Sequence, residues 1–175
     1  MNNKEIVLVT GANGHLGNNL VRELLNGGRN VRASVRDTNN KKPFESLDCE
    51  LVYADMLDKK SLLIAFKNVD VLYHVAAVFK HWAKNPEKEI LEANLKGTKN
   101  VLEAAAECGI NKIIYVSSIA SLDFSQKIID ETSWGKEFPN MYFKSKNESE
   151  KLAWKLADKL SLNMISVLPS RNDWS

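Results

Sequence analysis

The sequence predicts an α/β fold with a doubly wound parallel sheet between two helical layers, and three features carry that prediction. Short apolar runs alternate with helical patterns throughout the 175 residues. The runs are continuous and do not alternate with polar residues, which suits strands buried on both faces. The first run, Val7-Leu8-Val9-Thr10, breaks into Gly11-Ala12-Asn13-Gly14-His15-Leu16-Gly17, three glycines spaced three apart, and a helical pattern starts at once.

Taken in order, strands are predicted over residues 6–10, 31–35, 50–53, 71–74, 112–117 and 163–168. Helices are predicted over 15–26, 61–66, 86–108 and 140–160. Gly27-Gly28 stops the first helix and Gly109 stops the long one. Pro86 suits a first helical turn. Within the long helix Ile90, Leu91, Leu95, Val101, Leu102 and Ala105 form an apolar stripe, read as a core-facing surface. Right-handed crossovers between the strands give a Rossmann sheet of order 3-2-1-4-5-6. A ligand then sits at the carboxyl ends of the strands, beside the first turn. Residues 1–175 read as a single domain without repeat, low-complexity tract or linker.

Composition narrows the function. Hydrophobic residues make up 44% and charged residues 26% of the chain, as in a globular protein. The net charge of +2 makes no electrostatic case for nucleic acid or a membrane surface. Cys49 and Cys108 are too few for a disulfide framework and read as buried thiols in a reducing compartment. The residues before the first strand lack the apolar segment of a signal peptide, and no apolar run reaches membrane-spanning length. A cytoplasmic location is expected, and no metal site.

A strand turning sharply into a helix aims free N–H groups at whatever lies above the turn, an anion site that suits a dinucleotide pyrophosphate. Gly11 is expected to adopt a backbone angle that residues with a Cβ avoid, Gly14 to admit phosphate, and Gly17 to let helix and sheet pack closely. Asn13, His15 and Leu16 complete this cofactor-binding turn. Strand two ends in Ala33-Ser34-Val35-Arg36-Asp37. No acid stands at Val35 to take a ribose 2′-hydroxyl, and the Arg36 guanidinium suits a 2′-phosphate, so NADP is favoured over NAD. The competing reading of Arg36 is a loop residue paired with Asp37. Asp55, with Met56 beside it, could accept from an adenine amino group or serve as a cap. His74-Val75-Ala76-Ala77 ends strand four; Ala76 lets a cofactor approach the backbone, and His74 reads as a hydrogen-bonded core residue.

The chemistry is expected at a second place. Tyr142 and Lys146 lie four apart and share a helix face. A phenol titrates near about pH 10. An adjacent ammonium is expected to lower that value, so that Tyr142 exchanges a proton with a carbonyl or alcohol oxygen while hydride moves. Lys146 can also hold the nicotinamide ribose. Ser117-Ser118 follows the apolar run Ile113-Ile114-Tyr115-Val116. Ser118 is assigned to the substrate oxygen and Ser117 to backbone support.

Together these residues resemble the extended short-chain dehydrogenase/reductase family, part of the NAD-dependent epimerase/dehydratase superfamily. The motifs run in order over nearly the whole chain: Thr10 to Gly17, Asp55-Met56, His74 to Ala77, Asn94-Leu95-Lys96-Gly97-Thr98, Val116-Ser117-Ser118 and Tyr142 to Lys146. The resemblance implies a catalytic Ser118, Tyr142 and Lys146, with Asn94 positioning the lysine through water. Val31 to Asp37 and Ala83 to Thr98 look most like the dihydroflavonol-4-reductase branch. That implies reduction of a ketone or aldehyde with NADPH, the arginine on the 2′-phosphate. Sugar-nucleotide epimerases and dehydratases share these motifs and are the alternative, as is a non-catalytic NADP-binding module. Resembling proteins often pair through their two long helices, so the resemblance leaves a homodimer open, and the sequence does not settle the oligomeric state. They also continue past Val167-Leu168-Pro169 into a substrate-binding lobe. Here Ser170 to Ser175 follow, so the expectation is that the lobe is absent, turnover impaired and apolar surface exposed.

Overall fold

A computed structural model describes residues 5–80 and 82–170. The expected departure at residues 171–175 lies outside them. Six strands form one sheet: β1 (Ile6–Thr10), β2 (Asn30–Val35), β3 (Glu50–Tyr53), β4 (Val71–His74), β5 (Lys112–Val116) and β6 (Met164–Val167). The helices are α1 (His15–Asn26), α2 (Lys59–Ala65), α3 (Ala93–Glu107) and α4 (Met141–Leu160). The strand order is β3-β2-β1-β4-β5-β6, as expected, and every pairing is parallel. Val7 stands opposite Val31 on one side and Val71 on the other, so β1 is central.

Successive strand residues face opposite sides of a sheet, and here they enter two different cores. Leu8, Leu72 and Ile113 pack with Leu62, Val101, Leu102, Ala153 and Leu156 from α2, α3 and α4. Val9, Val31 and Ala33 pack with Val21 from α1 and with Phe44, which sits in a 3-10 turn at Lys42–Phe44. The apolar stripe of the long helix is core, as read: Val101, Leu102 and Ala105 are fully buried, and Leu95 partly so.

The structure departs from the sequence reading in four places. The helix expected over 86–108 is two pieces, a π-helical turn at Glu87–Glu92 that runs directly into α3. A second 3-10 turn, Ile119–Ser121, separates β5 from the loop leading to α4. The last strand is not buried on both faces. Ile165 is 46% and Val167 40% exposed, because β6 is a sheet edge and no helix of the described residues covers that face of it. Cys49 and Cys108 are free and only partly buried, not the buried thiols expected.

Candidate functional site

The glycine turn is shaped by contacts that exclude side chains. Gly11 has φ +65°, and a Cβ there would lie 2.9 Å from the Ala76 Cα. At Gly17 a Cβ would stand 2.3 Å from the Gly11 carbonyl oxygen. Both clashes are with backbone, so neither can relax by a side-chain rotation. The Gly14 N–H donates to the Gly11 carbonyl at 3.0 Å. No side chain caps α1, and the N–H groups of a helix's first turn have no acceptor within the helix. Asn13, Gly14 and His15 are exposed, and Leu16 is partly buried. The turn is therefore an uncapped, solvent-open helix start that would accept an anion such as pyrophosphate.

Arg36 is exposed just past β2. Asp37 does not pair with it; its Oδ1 accepts from the Asn39 N–H at 3.0 Å. The loop reading of an Arg36–Asp37 pair is thus not seen. Asp55 Oδ1 accepts from the Leu57 N–H at 2.8 Å, closing a local turn. Met56 packs on Gly97, where a Cβ would meet its sulfur at 2.7 Å.

Thr10 organises the end of β4. Its hydroxyl accepts from the Val75 and Ala76 N–H groups at 3.0 and 3.1 Å. A hydroxyl has one proton to give, and here it goes to His74 Nδ1, 2.9 Å away. That leaves the ring neutral with its proton on Nε2. Burial, aided by the Lys146 charge, pulls the His74 pKa down to about 3. His74 is a core histidine, as read. Asn94 is also buried, but its amide grips the loop after β4. It accepts from the Val78 N–H at 2.7 Å and donates to the Val78 carbonyl at 3.0 Å and to Ser145 Oγ at 3.2 Å. No direct bond joins it to Lys146. His74, Ala76, Asn94, Lys146 and Ser149 border one small cavity of about 10 Å³, room for a single water.

Ser118, Tyr142 and Lys146 meet at the carboxyl end of β5. Asn140 caps α4, its Oδ1 accepting from the N–H groups of Tyr142 and Phe143 at 3.0 and 3.2 Å. The half-buried Tyr142 ring packs edge-on against Phe79, with centroids 4.8 Å apart. Ser118 Oγ accepts from the Ala120 N–H at 3.2 Å. Lys146, 7% exposed, donates to the Val116 carbonyl at 3.3 Å. One expectation is corrected here. The phenol is not pulled down by the lysine: burial pushes its pKa up, and a hydrogen bond with Ser118 opposes that rise. Burial instead acts on Lys146 itself, lowering it to about 8, while Glu150 resists.

The residue that sequence reasoning missed is Glu150. It is 3% exposed. Its Oε2 accepts from Ser117 Oγ at 2.5 Å and from Ser121 Oγ at 2.8 Å, and its Oε1 from Ser166 Oγ at 2.7 Å. Ser117 therefore acts through its side chain as well as through the backbone, where its N–H donates to the Val167 carbonyl at 2.8 Å. The available signal was a carboxylate four residues after Lys146, hence one turn further along the same face.

Comparison with known proteins agrees with this architecture. The profile of the 3-beta hydroxysteroid dehydrogenase/isomerase family matches residues 8–166. A bifunctional dihydroflavonol 4-reductase/flavanone 4-reductase from Malus domestica is 33% identical over 186 residues, covering 95% of this chain and 53% of that protein. The crystal structure of gox2253 is 36% identical with a TM-score of 0.85, covering 94% of this chain and 51% of that one. That of Gre2 from Candida albicans in complex with NADPH is 27% identical with a TM-score of 0.83, covering 95% and 57%. The chain thus spans about half the length of the relatives it matches. On a family profile spanning most of its length, and on motifs that fold together at one sheet edge, the chain belongs to the 3-beta hydroxysteroid dehydrogenase/isomerase family of the extended short-chain dehydrogenases/reductases.

Proposed function

We propose that this chain carries the coenzyme-binding and proton-transferring part of an NADPH-dependent reductase that converts a ketone or aldehyde into an alcohol. One observation supports this above the others. The uncapped glycine turn and the Ser118–Tyr142–Lys146 group open on the same edge of the sheet, at the carboxyl ends of β1 and β5. The turn suits the pyrophosphate, with Gly11, Gly14 and Gly17 leaving the space and Asn13, His15 and Leu16 around it. Arg36, exposed at the end of β2, suits a 2′-phosphate. Asp55, Met56 and Ala76 would border the remainder of the coenzyme. The reduced nicotinamide, when bound, supplies the hydride.

The chain's own groups handle the oxygen. Ser118 donates a hydrogen bond to the substrate carbonyl, and Tyr142 gives it a proton as the alcohol forms. The raised pKa keeps the phenol protonated and ready to donate at neutral pH. Lys146 holds the coenzyme ribose and stabilises the phenolate left behind. With its pKa near 8, the lysine loses that role as the pH rises past this value. Asn94 keeps the loop after β4 against α4.

The test is titration with NADPH and NADH by fluorescence, followed by a carbonyl screen read as loss of NADPH absorbance. Binding of NADPH well below the NADH concentration required, with turnover of at least one ketone or aldehyde, is expected. Failure of both coenzymes to bind would end this reading.

A further inference from the structure

The network beneath the Tyr–Lys pair has a consequence for how that pair works. A carboxylate with no cation in direct contact is costly to bury. Among the described residues Glu150 has no ion pair within 4.0 Å. What holds it is three serine hydroxyls from three separate places: Ser117 at the end of β5, Ser121 in the following 3-10 turn, and Ser166 on β6. Hydroxyls donated to a carboxylate favour its charged form. The backbone carbonyl of Ser118, between two of these serines, also lies 2.9 Å from Ser121 Oγ and accepts from it, sharing with Glu150 the one proton of that hydroxyl. So one buried anion ties together the segment that carries Ser118 and the helix that carries Tyr142 and Lys146.

We propose that Glu150 is a positioning residue for the Tyr–Lys site: a buried counter-charge, held by Ser117, Ser121 and Ser166, that keeps Lys146 protonated and fixes the Ser118 segment against α4. The proposal rests on the reading of Tyr142 and Lys146 as the chemical site. Four ionisable groups face Lys146 or its counter-charge from the surrounding elements. His74 on β4 is neutral and cannot supply the compensating charge. Tyr115 on β5 is kept protonated by burial, and its hydroxyl pairs with Thr98 at 3.2 Å. Tyr142 on α4 is likewise held in its neutral form. Glu150 is the group whose charge opposes the desolvation of the lysine. The serine cradle fixes that carboxylate in place without a direct salt bridge.

Lysine labelled with ¹³C at Cε, assigned by comparison with Lys146→Arg, gives the titration midpoint of Lys146 by NMR without any coenzyme. In Glu150→Gln, which keeps the shape and can still hydrogen-bond the serines, the midpoint is expected to fall by about one pH unit, a tenfold loss of protonated lysine above it. Ser166→Lys, at a half-exposed edge position, places a cation against the same carboxylate and is expected to shift Lys146 in the same direction. A purely structural role for Glu150 would not move the midpoint. An unshifted midpoint in whichever of the two variants folds would overturn the proposal. A shifted midpoint in a protein that binds neither NADPH nor NADH would sustain Glu150 as the counter-charge and remove the reductase reading instead.

Discussion

Backbone builds the turn after β1, whereas side chains build the end of β5. At the first, what matters is the absence of Cβ atoms at Gly11 and Gly17 and the unused N–H groups of the α1 start. Seven consecutive residues define it. At the second, a serine, a tyrosine and a lysine converge from a strand end and a long helix, over a carboxylate fastened by three more serines. The backbone site is insensitive to protonation. The side-chain site depends on it throughout, because burial shifts Tyr142 upward and Lys146 downward. On the proposed reading, a coenzyme anion would be held at the turn over a wide pH range, while the chemistry next to it would be confined to the range where both groups keep their protons.

Variants can separate the two regions, and Tyr142→Phe is expected to do so most strongly. Loss of the proton donor should cut carbonyl reduction by about a hundredfold to ten-thousandfold, with NADPH affinity nearly unchanged in a fluorescence titration. Comparable turnover in the variant would assign proton transfer elsewhere. Gly17→Ala attacks the other region. Its methyl group would sit 2.3 Å from a backbone oxygen, so denaturant unfolding should show a loss of about 3 kcal/mol, together with loss of coenzyme binding. A variant as stable as the parent, binding NADPH normally, would mean that the turn is not the close-packed element described.

Arg36→Glu probes only the outer end of the coenzyme site. Replacing a cation that suits a phosphate with an anion should weaken NADPH by about tenfold to a hundredfold more than NADH. Equal losses for both coenzymes would rule out the phosphate role. The last effect is read in stability and not in activity, and concerns His74, which lies between the two regions. The unfolded chain protonates this residue near 6.5, the folded chain only near 3. The unfolded state thus holds more protons between these values, and stability falls as the pH drops through 6.5 toward 3. His74→Gln should flatten that part of the curve of thermal midpoint against pH. A curve of unchanged slope would show that the histidine does not titrate as its burial requires.

The contrast between the regions also explains what was legible before the structure. The six strands, their order and the four helices follow from apolar runs and glycine stops, signals carried by neighbouring residues. The positions of Ser118, Tyr142 and Lys146 were readable for the same reason: each sits at a recognisable strand end or helical spacing. The π-helical turn at Glu87–Glu92 left no mark, since its apolar residues fit an α-helical stripe equally well. The exposure of Ile165 and Val167 was missed because an apolar run does not reveal that its strand lies at the sheet edge.

From its sequence alone the protein is a doubly wound sheet with a glycine turn opening a helix and a Tyr–Lys pair on one helix face. These are properties of residues close together in the chain, where spacing translates directly into geometry. The protonation of that pair, and the use of Glu150 beneath it, were decided only by the tertiary structure. A pKa depends on how much water surrounds a group and on charges brought near it from distant segments. Ser117, Ser121 and Ser166 reach one carboxylate only once β5, its following turn, β6 and α4 have packed together.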